Sequence, residues 1–201
     1  MNINANDRTL GLINIWQVLR KLFWEIELIK ATPDSLRVGA APVDVLHVQD
    51  ARLYATINAA FTSLALVDWL YHTIREDQLL TQRIIDTLGN VDMSSDKAFL
   101  LFFREKNSSI NACHQISNAN KHFYLKNPER NFKVMVGEIV MKRPDGTTDV
   151  AVITHIIRNG DTPDTATSVF DMLVSLMVWW EDLLTNIQVL GREQFFPQGA
   201  P

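Results

Sequence analysis

The spacing of apolar residues along the chain predicts a protein made mainly of helices. Apolar side chains recur every three or four residues over about residues 9–30 and again over about residues 48–74, a period that puts them on one side of a helix. Between these two helices, residues 38–45 contain a glycine and end near prolines, which predicts a loop. The apolar positions that define the two stripes are Leu12, Trp16, Leu19, Phe23, Ile26 and Ile29, then Leu53, Ile57, Ala60, Leu64, Val67, Tyr71 and Ile74.

Shorter helices are predicted by the same spacing together with capping residues. Ser94 and Ser95 precede one helix, and Gly89 ends the helix before it, because serine favours helix starts and glycine favours helix ends. The expected ranges are 77–88, 96–106 and 109–125. The last helix is expected to start with Thr162 as its N-cap and with Pro163 and Asp164 in its first turn, to reach Leu190 and to stop at Gly191.

One stretch breaks the helical period and predicts strands. Residues 132–142 and 147–158 are rich in β-branched residues and flank Pro144-Asp145-Gly146, a pattern typical of a β-hairpin. The fold class is therefore mainly α (α+β), a bundle of five to six helices with one antiparallel β-hairpin before the C-terminal helix. We expect a single domain over residues 1–193, with the hairpin at 132–158, and a C-terminal tail at 194–201.

Composition and charge narrow the class of protein. With 47% hydrophobic and 21% charged residues, the 201-residue chain has the balance of a globular domain. No apolar run in the sequence reaches the length of a membrane span and the first residues lack a secretory pattern, so we expect a cytoplasmic protein with no membrane partner. A formal net charge of -4 does not indicate RNA binding, although RNA stays open as a partner. The single cysteine, Cys113, is expected to be a small buried hydrophobe.

Most well-marked enzyme classes are excluded because their motifs are missing from the sequence. There is no glycine-rich dinucleotide loop, no phosphate-binding Walker loop, no nucleophile elbow and no zinc-protease helix. We therefore predict no cofactor and no structural zinc site, and the sequence identifies no small-molecule ligand.

Two predicted helices carry polar pairs at the spacing that puts side chains on one face. Asp68 and His72 lie four residues apart on the second helix, and Asn118 and His122 do so on the fifth, with Lys121 one step round. If the two faces meet, these residues form one buried polar cluster. The tentative catalytic residues are therefore His122, Asn118, Lys121 and Asp68.

Three interpretations of this cluster stay open. A carboxylate and an imidazole can perform general acid–base chemistry, because an imidazole titrates near neutrality, and Lys121 would then stabilise a phosphate. A buried hydrogen-bonded network that fixes helix register needs the same residue types. A metal site built from Asp68, His72 and His122 has suitable ligands but no spacing signature beyond the two pairs.

The segment from Gln115 to Phe123 resembles a motif of uncharacterised bacterial proteins, in which an acidic residue precedes an Asn-x-x-Lys-His core. Those proteins also carry an upstream Trp-His-Leu-x-Asp-Trp motif and a downstream hairpin with a tryptophan-bearing helix, so the resemblance spans roughly residues 53–184. This chain keeps Asp68, Trp69, Asn118, Lys121 and His122. It has Leu64-Ala65 where Trp-His would stand and Gln115 at the acidic position.

A helical bundle with a late Asn/His-bearing helix also resembles the HEPN superfamily, whose active members cut RNA in toxin–antitoxin and phage-defence systems. Their signature, an arginine and a histidine separated by four to six residues, does not occur in this sequence. The resemblance implies an RNA-acting component of a bacterial defence or toxin–antitoxin system. The alternative is a non-enzymatic protein-interaction module, with a structural polar core, that forms a homodimer.

Overall fold

A computed structural model describes residues 11–32, 35–37, 42–121, 132–158 and 166–195, and this part of the chain is mainly helical. Seven helices lie in it, one more than the upper end of the predicted range, because a short helix near the C-terminus had no periodic signal. The helices are α1 (Ile15–Ala31), α2 (Pro42–Ile74), α3 (Gln78–Leu88), α4 (Asp96–Lys106), α5 (Ser108–Lys121), α6 (Val169–Asn186) and α7 (Arg192–Phe195).

Capping side chains decide where the first helices begin. The Asn14 side chain accepts a hydrogen bond from the Gln17 amide at 3.0 Å, so α1 begins at Ile15. Residues 11–14 precede the helix, and the prediction that it runs unbroken from Thr9 is wrong there. Ser95 accepts from the amide of Ala98 at 3.1 Å and starts α4, whose predicted range is confirmed.

Helix α2 is six residues longer at its start than predicted. It begins at Pro42, which shows that the predicted loop over 38–45 is wrong from that residue onward. Proline suits the first turn of a helix because its missing N–H has no partner there in any case. The helix is long and apolar enough over Asp50–Ile74 to cross a membrane, by length and composition alone, but half of the apolar window is buried inside the protein. Central helices of globular bundles pass the same test.

Strands β2 (Phe132–Lys142) and β3 (Thr148–Arg158) pair antiparallel, and a turn connects them. In the turn, the Gly146 amide donates to the Arg143 carbonyl at 3.0 Å. The sequence predicted these two strands alone, whereas the sheet has four strands. Short strands β1 (Ser35–Arg37) and β4 (Thr167–Ser168) both pair with β3, at opposite ends of the edge that β2 leaves free.

The last long helix starts later and stops earlier than predicted. Helix α6 begins at Val169 and is capped by Ser168, which belongs to β4, whereas the predicted cap at Thr162 lies outside the described residues. The helix ends at Asn186 because Gln188 adopts a left-handed φ of 60°. The Val189 amide donates to Leu184 and that of Gln188 to Thr185, each at 3.0 Å. This pair of bonds is the Schellman stop, with glutamine where glycine is usual.

The core lies where α1, α2, α4, α5 and α6 meet. Aromatic side chains occupy its centre: Phe103 stacks on Trp180 with ring centroids 5.8 Å apart, and Phe99 packs against Phe103 at 4.7 Å. Trp180, Phe99 and Trp16 have no exposed surface. Trp180 of α6 and Trp16 of α1 are thus structural, which leaves the helix surfaces and the ends of the bundle as places for function.

Candidate functional site

Asp68 and His72 lie on the outer face of α2 and do not contribute to a buried cluster. Their side chains are 62% and 51% exposed, and Asp68 Oδ1 lies 3.5 Å from His72 Nε2. The expectation of a buried network is therefore wrong for these two residues, because Leu66, Val67 and Leu70 supply the core face of α2. A carboxylate at this distance can orient an imidazole at the surface of the protein.

The structure pairs Asn118 with His114, a histidine that the sequence did not single out. The Asn118 amide nitrogen lies 3.2 Å from the ring nitrogens of His114, and both side chains are half-buried on α5. The four-residue spacing that would have indicated this pair is present in the sequence. His122 lies at the same spacing on the other side of Asn118, and spacing alone does not distinguish the two histidines.

The remaining predicted residues lie at the end of α5. Lys121 is the last residue of the helix, and His122 lies outside the described residues together with the rest of the predicted 109–125 range. No hydrogen bond or ion pair joins Asp68 to Asn118, whose side chains are both described. The geometry thus shows two separate pairs, one on α2 and one on α5, and the catalytic role of these four residues stays a prediction.

Polar groups are also buried where α2 packs against α5. Ser63 and Cys113 have no exposed surface, and Ser117 is 1% exposed. Burial raises the pKa of the Cys113 thiol to about 12, while the neighbouring Ser63 hydroxyl opposes the shift. A thiol with such a raised pKa stays protonated near neutrality and is a poor nucleophile. Cys113 is confirmed as a small buried side chain.

Metal-ligating side chains do not converge in the described ranges, where no three of His, Cys, Asp and Glu come together. The proposed ligand set of Asp68, His72 and His122 includes one residue outside those ranges.

A pocket of about 590 Å³ opens at the end of the bundle where α2 runs into α3, and we call it the end pocket. The start of α1, the last turns of α2, the first turns of α3 and the segment after α6 form its walls. It is mostly apolar, with one cation, Arg83, and one carboxylate, Asp77. No local pattern in the sequence predicts this pocket, because its walls come from four separate segments. Its lining residues are Ile13, Asn14, Ile15, Trp69, Thr73, Asp77, Leu79, Leu80, Arg83, Gln188, Val189 and Leu190.

A second surface feature lies on the outside of α1 and α2. Lys21 Nζ donates to Thr62 Oγ1, and Arg52 Nη1 donates to the Thr32 carbonyl oxygen at 3.2 Å, so the two helices run antiparallel. Leu28 is two turns after Lys21 on α1, and Tyr54 is just over two turns before Thr62 on α2. By the register of these two contacts, Leu28 and Tyr54 lie at the same level of the antiparallel pair, and both side chains are exposed to solvent.

Trp24, one turn from Leu28, extends this surface, which we call the α1–α2 outer face (Trp24, Leu28 and Tyr54). The three side chains are 56%, 59% and 59% exposed. Scattered exposed apolar residues are ordinary, but a group of large ones on adjacent helices is typical of an interaction surface.

Comparison with family models, with curated proteins and with solved structures finds no match to this chain. The resemblances to the Asn-x-x-Lys-His proteins and to the HEPN superfamily stay predictions from the sequence.

Proposed function

We propose that this protein is a non-enzymatic interaction module and that its α1–α2 outer face binds a second copy of the chain. The carrying observation is the exposure of Trp24, Leu28 and Tyr54 on adjacent antiparallel helices. Aromatic anchors of this kind dominate the energetics of protein interfaces. A two-fold pairing sets the same apolar residues against each other and needs no complementary charge, which suits a face made of large apolar side chains.

The test is the oligomeric state of the full chain. We expect sedimentation velocity between about 1 and 100 µM to show a monomer–dimer equilibrium. Leu28→Glu should leave only monomer, because two-fold pairing would bury a carboxylate with no partner. The matched control is Leu101→Glu on α4, since Leu101 is 49% exposed and lies outside the face. A wild-type chain that stays monomeric throughout, or a control that dissociates the dimer equally, contradicts the proposal.

A second candidate function is RNA cleavage by a cytoplasmic, HEPN-like component of a bacterial defence or toxin–antitoxin system. It is supported by the Asp68–His72 pair, in which a carboxylate 3.5 Å from an exposed imidazole is placed as in a general acid–base pair. Asn118, Lys121 and His122 are the other residues that the sequence predicts for this function.

The enzyme proposal predicts that purified wild-type protein cleaves RNA and that His122→Ala and Asp68→Asn each abolish cleavage with unchanged thermal melting. Asp86→Asn on α3 is the control, because Asp86 is exposed and only accepts a hydrogen bond from Gln82. Wild-type protein without cleavage, or full cleavage by His122→Ala, rules out this function.

A further inference from the structure

The walls of the end pocket are formed by segments that hydrogen bonds hold against the rest of the bundle. Asp77 caps α3 by accepting from the amides of Leu79 and Leu80 at 2.9 and 3.1 Å. On the opposite wall, Trp16 Nε1 donates to the Val189 carbonyl oxygen at 3.2 Å. The walls are therefore held by bonds to the bundle, and the pocket is preformed. Its volume of about 590 Å³ lies within the range of small-molecule sites.

Large apolar side chains around the opening of the end pocket are exposed to solvent. Leu79 and Leu190, at its rim, are 59% and 90% exposed, and Ile13 is 53% exposed. Three of the large apolar side chains that the described chain exposes to solvent thus surround one opening. Transfer of an apolar ligand from water into this opening would cover side chains that the fold itself leaves in contact with solvent.

The polar part of the pocket favours an anion. Arg83 makes one long hydrogen bond, from Nη1 to the Ile187 carbonyl oxygen at 3.4 Å. No ion pair to Arg83 occurs among the described residues. The carboxylate of Asp77 is compensated by the two amides at the start of α3 that it caps. The guanidinium keeps further donors in a planar fork, the geometry that pairs best with a carboxylate or phosphate.

One residue in the wall of the end pocket has an unusual backbone conformation. Gln188, a lining residue, holds a left-handed φ of 60°, a conformation in which a side-chain-bearing residue is strained. The Schellman stop of α6 accounts for this conformation and fixes this part of the wall.

We propose that the end pocket binds an amphiphilic anion, a small molecule with an apolar body and a single acidic headgroup. The body packs against Trp69, Leu80 and Val189, and the headgroup pairs with Arg83. This inference is independent of the α1–α2 outer face, which lies on another part of α1 and α2.

The probes are decanoate and its uncharged analogue decanol, each added to the full chain at concentrations up to about 0.1 mM, with binding measured directly by isothermal titration calorimetry. We expect Arg83→Ala to weaken decanoate binding about tenfold, because a charge-assisted hydrogen bond is lost. Decanol binding should change less than twofold. Thr73→Trp, which fills the pocket, should abolish binding of both probes while the circular dichroism spectrum stays that of wild type.

Arg75→Ala is the matched control, because Arg75 is an exposed arginine that pairs with Glu76 and lies outside the pocket. It should bind decanoate like wild type. The proposal is overturned if the wild-type protein binds neither probe, or if Arg83→Ala and Arg75→Ala weaken decanoate binding equally. It is also overturned if a folded Thr73→Trp protein still binds decanoate. If Thr73→Trp does not fold, the contrast between Arg83→Ala and Arg75→Ala decides alone.

Discussion

Replacing Trp180 by alanine should lower the free energy of unfolding by about 3–5 kcal/mol. The indole has no exposed surface, stacks on Phe103 and meets Trp179 edge to face at 5.0 Å. The alanine variant leaves a cavity among rigid aromatic neighbours that can collapse only in part. Since a domain is stable by about 5–15 kcal/mol in total, the loss should be visible as a large fall in the urea midpoint.

The indole N–H of Trp180 leads to a second prediction at the same position. Trp180 Nε1 is buried and has no hydrogen-bond partner in the described part of the chain. Phenylalanine keeps most of the ring and removes that unsatisfied donor, so Trp180→Phe should cost only about 1–2 kcal/mol. Had the N–H been bonded, the phenylalanine variant would lose that bond as well.

The control for both variants is Val178→Ala, two residues earlier on the same helix, where the side chain is 48% exposed. It should change stability by no more than about 0.5 kcal/mol. An alanine variant at Trp180 whose unfolding free energy stays within about 1 kcal/mol of wild type would show that the aromatic centre does not hold the bundle together.

Local sequence signals predicted a helix correctly where residues close in sequence form the hydrogen bonds that begin and end it. The range of α4 follows from Ser95, whose hydroxyl caps the helix, and from the Asn107 turn, whose amide donates to Phe103 at 2.9 Å. The helical class itself follows from the apolar period, but the buried face of α2 includes Leu66 and Leu70, which the predicted stripe leaves out. These features depend on residues within a few positions of one another.

Local sequence signals failed where contacts with distant parts of the chain determine where a helix begins or ends. Thr167 and Ser168 pair with Ile156 and His155 of β3, and this pairing sets the start of α6. Nothing local to Thr162-Pro163-Asp164 reports it. At the other end, a glutamine accepts the left-handed position that stops α6, although glycine at 191 is the stronger sequence signal.

The candidate site was predictable only as a set of spacings. The intervals that link Asp68 with His72 and Asn118 with His122 are real features of two helices, but spacing cannot tell which face of a helix is buried. On α2 the pair lies on the outer face, opposite the packed side chains. On α5 the same interval also fits His114, which is the partner that the structure gives to Asn118.

The ion pair between Lys21 and Glu25 should behave asymmetrically when either partner is removed. The Glu25 side chain is only 10% exposed, whereas that of Lys21 is 48% exposed. Lys21 Nζ donates to Glu25 Oε1 and to Thr62 Oγ1, while Glu25 Oε2 is buried with no partner in the described residues. The carboxylate therefore depends on one lysine, but the lysine can be hydrated by solvent.

Lys21→Met keeps the apolar stem and deletes the charge, which leaves a buried carboxylate without its cation. We expect a loss of about 2–3 kcal/mol in the free energy of unfolding, less than for a fully buried pair because Lys21 is half exposed. Glu25→Leu should cost under about 1 kcal/mol, since water replaces the partner of the ammonium and the leucine packs in its place. The double variant should recover most of the stability lost in Lys21→Met, with a coupling of about 2 kcal/mol.

Lys30→Met is the matched control, because Lys30 pairs with Glu27 at 3.4 Å on the same helix and the two side chains are 66% and 37% exposed. Exposed pairs contribute little, so the change should stay within about 0.5 kcal/mol. Urea unfolding of the four variants at one pH measures the whole set. Greater destabilisation by Glu25→Leu than by Lys21→Met would contradict the argument, since it would show that the carboxylate is the solvated partner and the ammonium the dependent one. Comparing the free energies of unfolding of Lys21→Met and Glu25→Leu therefore tests whether the α1–α2 contact buries the carboxylate or the ammonium.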